Sequence, residues 1–298
     1  MRILRNKDPE AIHLLTNRTE QAELLMIPTP EAVDIIGGVI GRYQKLHRVE
    51  IYELKILSNH YHMLASQPDG EIWKFMTDVN REIAKRINKL NNREGRFWGG
   101  RYKDQVVLEE SDQLKAYAYI KTNATHHSLV EKPEDWPGLS SYNCQGKGFP
   151  FLNNSAYFFA KLRDKNTLKE DFTSYYNIEI SELPCLKKFS ANECKTLKST
   201  QVRERLEEIY EKNQKGFLGV ERLLSQAFGA KPKNVKKSSK GAFYSGSALA
   251  IRAARELYKE LCSAYKEASE RFRLGELEVE FPDFTFKPPL HYYPKVAA

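Results

Sequence analysis

The residues Leu57-Ser58-Asn59-His60-Tyr61-His62-Met63-Leu64-Ala65 place two histidines two positions apart in an apolar segment. Alternate side chains of a β-strand point to the same face, so His60 and His62 lie side by side and Tyr61 points to the opposite face. Two neighbouring imidazoles on a strand can supply half of a divalent metal site. The alternative is that one histidine is exposed beside the other with no ligand in common, and the motif alone does not decide between the two.

The composition of the 298-residue chain is that of a protein with a hydrophobic core, because 41% of its residues are hydrophobic. No apolar run approaches the roughly 18–20 residues that a membrane span needs, so we expect no membrane partner. The first eight residues lack the apolar segment of a signal peptide, which predicts a cytoplasmic protein. The four cysteines are scattered and form no Cys-x-x-Cys pair, which argues against a zinc ribbon or a disulfide framework.

The net charge of +8 favours a polyanionic partner, most often a nucleic acid. Residues 1–150 carry 21 Lys and Arg against 20 Asp and Glu, whereas residues 151–298 carry 26 against 19. The basic excess therefore lies in the second half of the chain.

Hydrophobic periodicity predicts the order β-α-β-β-α-β, followed by a helix that Ser111 caps. Strands are predicted at 11–18, 49–57, 61–66 and 104–108, and helices at 31–46, 70–92 and 111–123. The first helix is weakened by the glycines Gly37, Gly38 and Gly41. This order predicts an α+β fold, a ferredoxin-like antiparallel sheet with its helices packed on one face and with His60 and His62 on a central strand.

The helix after the fourth strand carries candidate partners for the histidines. Tyr119 and Asn123 are four residues apart and so share one helix face. If that face packs over the histidine strand, the Asn123 oxygen can be a third ligand, and the open positions would suit Mg²⁺ or Mn²⁺ carrying a phosphate oxygen. The Tyr119 phenol could then attack phosphorus, although a free phenol with a pKa near 10 is a poor nucleophile. The alternative is that Tyr119 is an ordinary packed aromatic.

Four segments in order resemble the single-tyrosine, IS200-like transposases of the His-hydrophobe-His (HUH) class, and among them the REP-associated tyrosine transposases. They lie at 58–62, 97–103, 119–125 and 133–142, and the early segment 16–19 is similar to the first strand of the family. The resemblance covers about residues 10–145 and implies an HUH endonuclease core. It also implies that His60, His62 and Asn123 bind the metal, that Tyr119 is the nucleophile, and that the substrate is single-stranded DNA near hairpins, cut to leave a 5′-phosphotyrosine and a free 3′-hydroxyl.

The segment after Asn123 departs from the usual Asn-Pro-Val-Arg-Ala-Gly of these transposases, since it reads Asn123-Ala124-Thr125-His126-His127-Ser128. The loss of the proline, arginine and glycine affects the turn after the helix and local DNA contacts. His126 and His127 could add a ligand or a proton shuttle, or they could be surface substitutions.

Several basic and aromatic residues are candidates for DNA binding. The second helix presents four cations on the faces that its apolar stripe leaves free, namely Arg81, Lys85, Arg86 and Lys89. They predict either a surface that binds the phosphates of a nucleic acid or an ordinary solvated surface. Trp98 could stack on a base or fill the core. Arg18, Arg101 and Lys103 belong to the segments that carry the resemblance.

A change of pattern near residue 146 predicts two regions, a nuclease domain at 1–145 and a basic, mostly helical region at 146–298. Helices are predicted at 196–213, 217–228 and 247–273, with an extended, proline-rich tail at 281–289. The segment 231–240 contains five lysines, among them the DNA-binding candidates Lys233, Lys236 and Lys237. It predicts either a helix-turn-helix module or a helical appendage with a basic connector.

These patterns together predict a metal-dependent single-stranded DNA endonuclease and strand transferase. The altered residues after Asn123 leave open a non-catalytic DNA-binding or regulatory protein derived from a transposase, and an RNA-processing enzyme would cleave RNA without a covalent adduct. A monomer and a homodimer are both compatible with the sequence.

Overall fold

The computed structural model describes residues 7–214, 216–232 and 241–287, and an antiparallel sheet forms its centre. The strands are β1 (His13–Arg18), β2 (Glu50–Ile56), β3 (His60–Ser66) and β4 (Lys103–Val107). They lie in the order β2-β3-β1-β4. Helices α1 (Pro30–His47) and α2 (Ile72–Leu90) connect β1 to β2 and β3 to β4. This is the ferredoxin-like arrangement, with the histidine strand β3 inside the sheet, so the predicted fold class is confirmed.

The two faces of the sheet pack against different helices. Helices α1 and α2 cover the face that carries Leu15 and Tyr61. Helix α3 (Glu110–Lys121) covers the opposite face, where it packs against Leu14 and Leu64. The prediction that the helices lie on one face therefore holds for the two connecting helices and not for α3.

The glycines of α1 make room for a hairpin from the second half of the chain. Strands β5 (Gly148–Leu152) and β6 (Thr173–Asn177) pair with each other and lie against α1. A Cβ atom at Gly38 would lie 2.1 Å from the carbonyl oxygen of Pro150, and one at Gly41 would lie 2.8 Å from that of Asn177. The glycines that weaken the helix in sequence are thus the residues that let the hairpin approach its backbone.

Helix α3 differs from its prediction at both ends. It begins at Glu110, so Ser111 lies within the first turn and is not the N-cap. It ends at Lys121, and the short helix α4 (Asn123–His126) follows after Thr122. The bonds from Thr122 N–H to the Ala118 carbonyl (3.0 Å) and from His126 N–H to the Thr122 carbonyl (2.8 Å) keep the helical path almost continuous.

The second half adds helices and one further strand to the core. The elements after β5 are α5 (Asn154–Arg163), β6, α6 (Ala191–Lys212), α7 (Val220–Leu224), β7 (Phe243–Tyr244) and α8 (Ala248–Arg273). Helix α6 packs against α3, and β7 pairs with β4 in parallel, which makes the complete sheet mixed. Elements after residue 146 pack on the first half, so the contacts do not separate two independent regions. The domain boundary predicted near residue 145 stays a prediction.

The predicted helix 217–228 is wrong, since only Val220–Leu224 is helical and Gly219 just before it has a φ of 85°. Strand β7 separates the basic segment from α8, so the described residues do not form two helices joined by a short turn. Within the same described ranges, no helix is both long and apolar enough to cross a membrane.

Candidate active site

The two histidines of β3 face helix α3 from the sheet. His60 and His62 are each only 6% exposed, and their ring centroids are 5.1 Å apart. Tyr61 between them points to the α2 side, where its hydroxyl donates to the Asn80 side chain (2.9 Å). The alternation of a strand thus places two imidazoles together beneath α3.

Neighbouring polar groups orient both rings. The Asn59 amino group donates to the Ala22 carbonyl (3.0 Å), so its oxygen faces His60, whose Nδ1 lies 2.6 Å away. Nδ1 of His60 is therefore the donor, and Nε2 keeps its lone pair. Nδ1 of His62 lies 2.7 Å from the Thr16 hydroxyl, which leaves its Nε2 toward α3. Such a fixed second nitrogen is typical of metal-binding histidines.

Burial keeps both imidazoles neutral. It lowers the pKa of His62 to about 3 and the pKa of His60 well below its usual value, and the nearby charges of His127 and Arg18 add to the effect. His127 lies on the surface with its ring centroid 5.5 Å from that of His60. A neutral imidazole is the form that binds a metal ion.

The phenol of Tyr119 lies over the histidine pair in the same chain. Its hydroxyl is 3.4 Å from Nε2 of His62, and the two ring centroids are 5.0 Å apart. Burial raises the pKa of Tyr119, although the positive charges of Arg205 and Arg18 oppose this effect. The phenol is therefore protonated at neutral pH.

Asn123, one turn beyond Tyr119, is fully buried, and neither its Oδ1 nor its Nδ2 has a hydrogen-bond partner among the described residues. The amide lies close enough to His60 and Tyr119 to shift the pKa of each, but no hydrogen bond of acceptable geometry forms. An unpaired buried amide calls for an explanation such as a missing ion.

The donor set fits a divalent cation. An unpaired amide oxygen beside two neutral imidazoles suits Mg²⁺ or Mn²⁺ with open coordination positions. No cluster of three or more His, Cys, Asp or Glu with metal-binding geometry exists in the described part of the chain. The predicted set contains only two residues of those types, because its third donor is an amide.

Sequence reasoning missed Arg205 on α6. Its guanidinium lies over the Tyr119 ring, 5.2 Å from the centroid, and its Nε donates to the Thr122 hydroxyl (3.1 Å). No sequence feature singled out this helix, because Ala191–Lys212 carries five Lys or Arg and five Glu. The structure thus adds a cation from the second half to the surroundings of Tyr119.

Two predicted DNA-binding residues flank the histidines. Arg18 lies opposite His60 in the register of β1 and β3, and Lys103 lies opposite Thr16 in that of β1 and β4. Paired residues of neighbouring strands share a face, so both side chains lie on the Tyr119 side of the sheet. Trp98 lies on the other side, where its indole N–H donates to the Asn80 carbonyl (2.9 Å), as expected for a core-filling aromatic.

The remaining DNA-binding candidates are not brought to this site. Arg81, Lys85, Arg86 and Lys89 lie on α2, across the sheet from Tyr119. The side chain of Arg86 already has partners within the protein. It forms an ion pair with Glu82 (2.9 Å), and its guanidinium lies over the Phe151 ring, 4.0 Å from the centroid. Arg101 is exposed in the loop before β4. Lys233, Lys236 and Lys237 lie outside the described residues.

Comparison with known proteins identifies the class of this core. Residues 27–123 match the family model described as "Transposase IS200 like". This part of the chain is similar to the IS200-like transposases, which confirms the resemblance found in the sequence.

Two solved structures are similar to the chain at low sequence identity. A REP-associated tyrosine transposase bound to a REP hairpin is 14% identical, with a TM-score of 0.38, over 64% of this chain and 98% of that one. A candidate transposase from Deinococcus radiodurans R1 is 18% identical, with a TM-score of 0.28, over 36% of this chain and 86% of that one. No curated protein matches the chain.

Proposed function

We propose that the chain is a metal-dependent single-stranded DNA endonuclease and strand transferase in which Tyr119 is the nucleophile. One observation supports this most strongly: the Tyr119 hydroxyl, the neutral pair His60 and His62, and the unpartnered Asn123 amide meet in one buried place. The match of residues 27–123 to the IS200-like transposases agrees with this chemistry.

His60, His62 and Asn123 would hold Mg²⁺ or Mn²⁺. When bound, such an ion orients a phosphate oxygen and neutralises the charge that develops on phosphorus. The protein contributes the orientation of its donors, since Asn59 and Thr16 fix the two rings and the surrounding core keeps them neutral.

In the proposed reaction the Tyr119 oxygen forms a bond to the scissile phosphorus, and the bond from phosphorus to the 3′ oxygen breaks. The phenol loses its proton, and the departing 3′ oxygen takes up a proton to become a hydroxyl. No water is consumed, so the 5′-phosphotyrosine can be resealed by another 3′-hydroxyl. The positive charges of Arg18 and Arg205 favour the phenol oxygen as it becomes negative.

The proposed substrate is a single DNA strand next to a hairpin. The net charge of +8 favours a polyanion, and Arg18 and Lys103 place positive charge beside the histidine pair. A single strand can bring its phosphate to the buried phenol more readily than a stacked duplex, because its backbone is flexible.

A covalent capture assay tests the proposal. Hairpin-containing single-stranded DNA is labelled at its 3′ end, because the 5′-phosphotyrosine stays with the downstream fragment. Wild type is compared with Tyr119→Phe and with the control Tyr117→Phe, which alters a tyrosine of the same helix that lies under Lys198. We expect a denaturant-resistant labelled band in wild type and Tyr117→Phe with Mn²⁺ or Mg²⁺, and none in Tyr119→Phe or with EDTA.

An adduct that persists in Tyr119→Phe would assign the wrong tyrosine. DNA bound tightly by wild type with no adduct would instead favour a non-catalytic DNA-binding protein.

A further inference from the structure

A cavity of about 500 Å³ lies between α6 and the turn that follows α4. Its lining is polar and includes His126, Ser128, Arg205, Glu208, Lys212 and Gln214. We call it the α6 cavity. Its volume lies within the range of sites that hold small ligands or single nucleotides.

Arg205 connects the α6 cavity to the nucleophile. Arg205 is one of the residues that line the cavity, and its guanidinium lies over the Tyr119 ring. Its Nε is held by the Thr122 hydroxyl, which in turn donates to the Ala118 carbonyl (2.8 Å) and is fully buried. The cation is therefore fixed in place before any ligand arrives.

The terminal nitrogens of Arg205 remain available for a ligand. Of the five N–H groups of a guanidinium, only the one on Nε has an acceptor within the described ranges. A planar fork of N–H donors matches two oxygens of a phosphate. Lys212 adds a second cation to the lining, where Glu208 is the one carboxylate and lies 3.9 Å from it.

We propose that the α6 cavity holds the nucleotide next to the phosphate that Tyr119 attacks, with Arg205 bonded to a phosphate oxygen of that nucleotide. This inference rests on the proposed function. It makes α6, which lies outside the family match at 27–123, a wall of the substrate site.

The test measures DNA binding without cleavage. Binding of a fluorescent single-stranded oligonucleotide to full-length Tyr119→Phe protein is followed by anisotropy in EDTA over a series of salt concentrations. Arg205→Gln is added to this background, with Arg203→Gln as the control, because Arg203 is exposed on the same helix about 200° away around its axis. A third protein carries His126→Trp, which fills the cavity without removing a fixed charge.

Arg205→Gln should weaken binding about tenfold or more. It should also reduce the slope of log K against log salt by about 0.7, the value for one lost phosphate contact on a single strand. His126→Trp should weaken binding with a smaller change of slope, and Arg203→Gln should change neither quantity comparably.

Unchanged affinity in both Arg205→Gln and His126→Trp overturns the inference, as does an equal loss in Arg203→Gln. Because no cleavage is measured, the two proposals can fail separately. If Arg205→Gln loses binding but wild type forms no adduct, the subsite proposal stands and the proposed catalytic function is wrong. If wild type forms the adduct but Arg205→Gln binds DNA as before, the proposed function stands and the subsite proposal is wrong.

Discussion

Replacing Asn123 with leucine tests whether the buried amide is present for a ligand or for stability. Both polar atoms of Asn123 are buried and unpaired among the described residues. Each such group costs about 1–3 kcal/mol, so removing both releases about 2–6 kcal/mol. The extra volume of leucine in a packed site costs about 1–3 kcal/mol. We therefore expect Asn123→Leu, in EDTA, to lie between about 1 kcal/mol less stable and about 5 kcal/mol more stable than wild type.

The response to metal should change in the opposite direction. At a Mn²⁺ concentration of about one hundred times its Kd, binding to the native state adds about 2.7 kcal/mol of stability. For a chain of 298 residues that corresponds to a rise in Tm of about 4 °C. Wild type should show the rise, and Asn123→Leu should lose most of it because its third ligand is gone.

Asn80→Leu is the matched control, since Asn80 is also buried but both polar atoms of its amide have hydrogen-bond partners. Its oxygen accepts from Asn17 and Tyr61, both at 2.9 Å, and its amino group donates to the Met76 carbonyl. Leucine there leaves these partners unpaired and should cost about 2–6 kcal/mol.

Urea and thermal unfolding, with EDTA or Mn²⁺, measure both effects. If Asn123→Leu in EDTA is destabilised as strongly as Asn80→Leu, or if it keeps the wild-type response to Mn²⁺, the assignment of Asn123 to a ligand site is wrong.

Three further predictions concern the support of the site. Gly38→Ala should destabilise the protein by about 1–3 kcal/mol in urea unfolding, because the new Cβ would lie 2.1 Å from a carbonyl oxygen of β5. This steric cost outweighs the gain of about 1 kcal/mol in helix propensity. A more stable variant would contradict the close packing of the hairpin. Lys55→Met should cost about 1.5–3 kcal/mol, since it removes the hydrogen bond that the buried ammonium donates to the Lys121 carbonyl (2.7 Å), and an unchanged Tm would contradict this role. The pKa of His62 is about 3 in the folded protein, below the unfolded value of 6.5, so the unfolded state binds the proton first as the pH falls. The metal-free protein should therefore keep its full free energy of unfolding above pH 6.5. This free energy should fall as the pH drops toward 3, by up to about 1.4 kcal/mol per pH unit. Urea unfolding between pH 7 and 4 should give a shallower dependence for His62→Gln, and equal slopes would remove His62 as the cause.

The parts of the site that the sequence predicts correctly depend on local periodicity. A period of two places His60 and His62 on one face of a strand, and the observed strand does the same. The four-residue spacing of Tyr119 and Asn123 remains informative although the helix is interrupted at Thr122. The i to i−4 hydrogen bonds continue through the interruption, so the two side chains still follow one another by about one turn.

The parts that were missed depend on contacts between distant segments. Gly38 looks like a helix-weakening residue because its partner, the β5 strand, follows more than one hundred positions later. Periodicity identifies the exposed face of α2 without giving the side of the sheet on which it lies, and DNA binding by the α2 cations stays a prediction.

Arg205 combines both kinds of information. Its sequence neighbourhood shows a charged helix with five Lys or Arg and five Glu, and nothing about a target, since any surface helix can carry such charges. Only the packing of α6 on α3 brings its guanidinium to the Tyr119 ring and its Nε to Thr122. One cation of the second half, Arg205, therefore lies beside the candidate nucleophile. On the proposed function, Arg205→Gln should therefore weaken DNA binding although it leaves the family-matched residues 27–123 untouched.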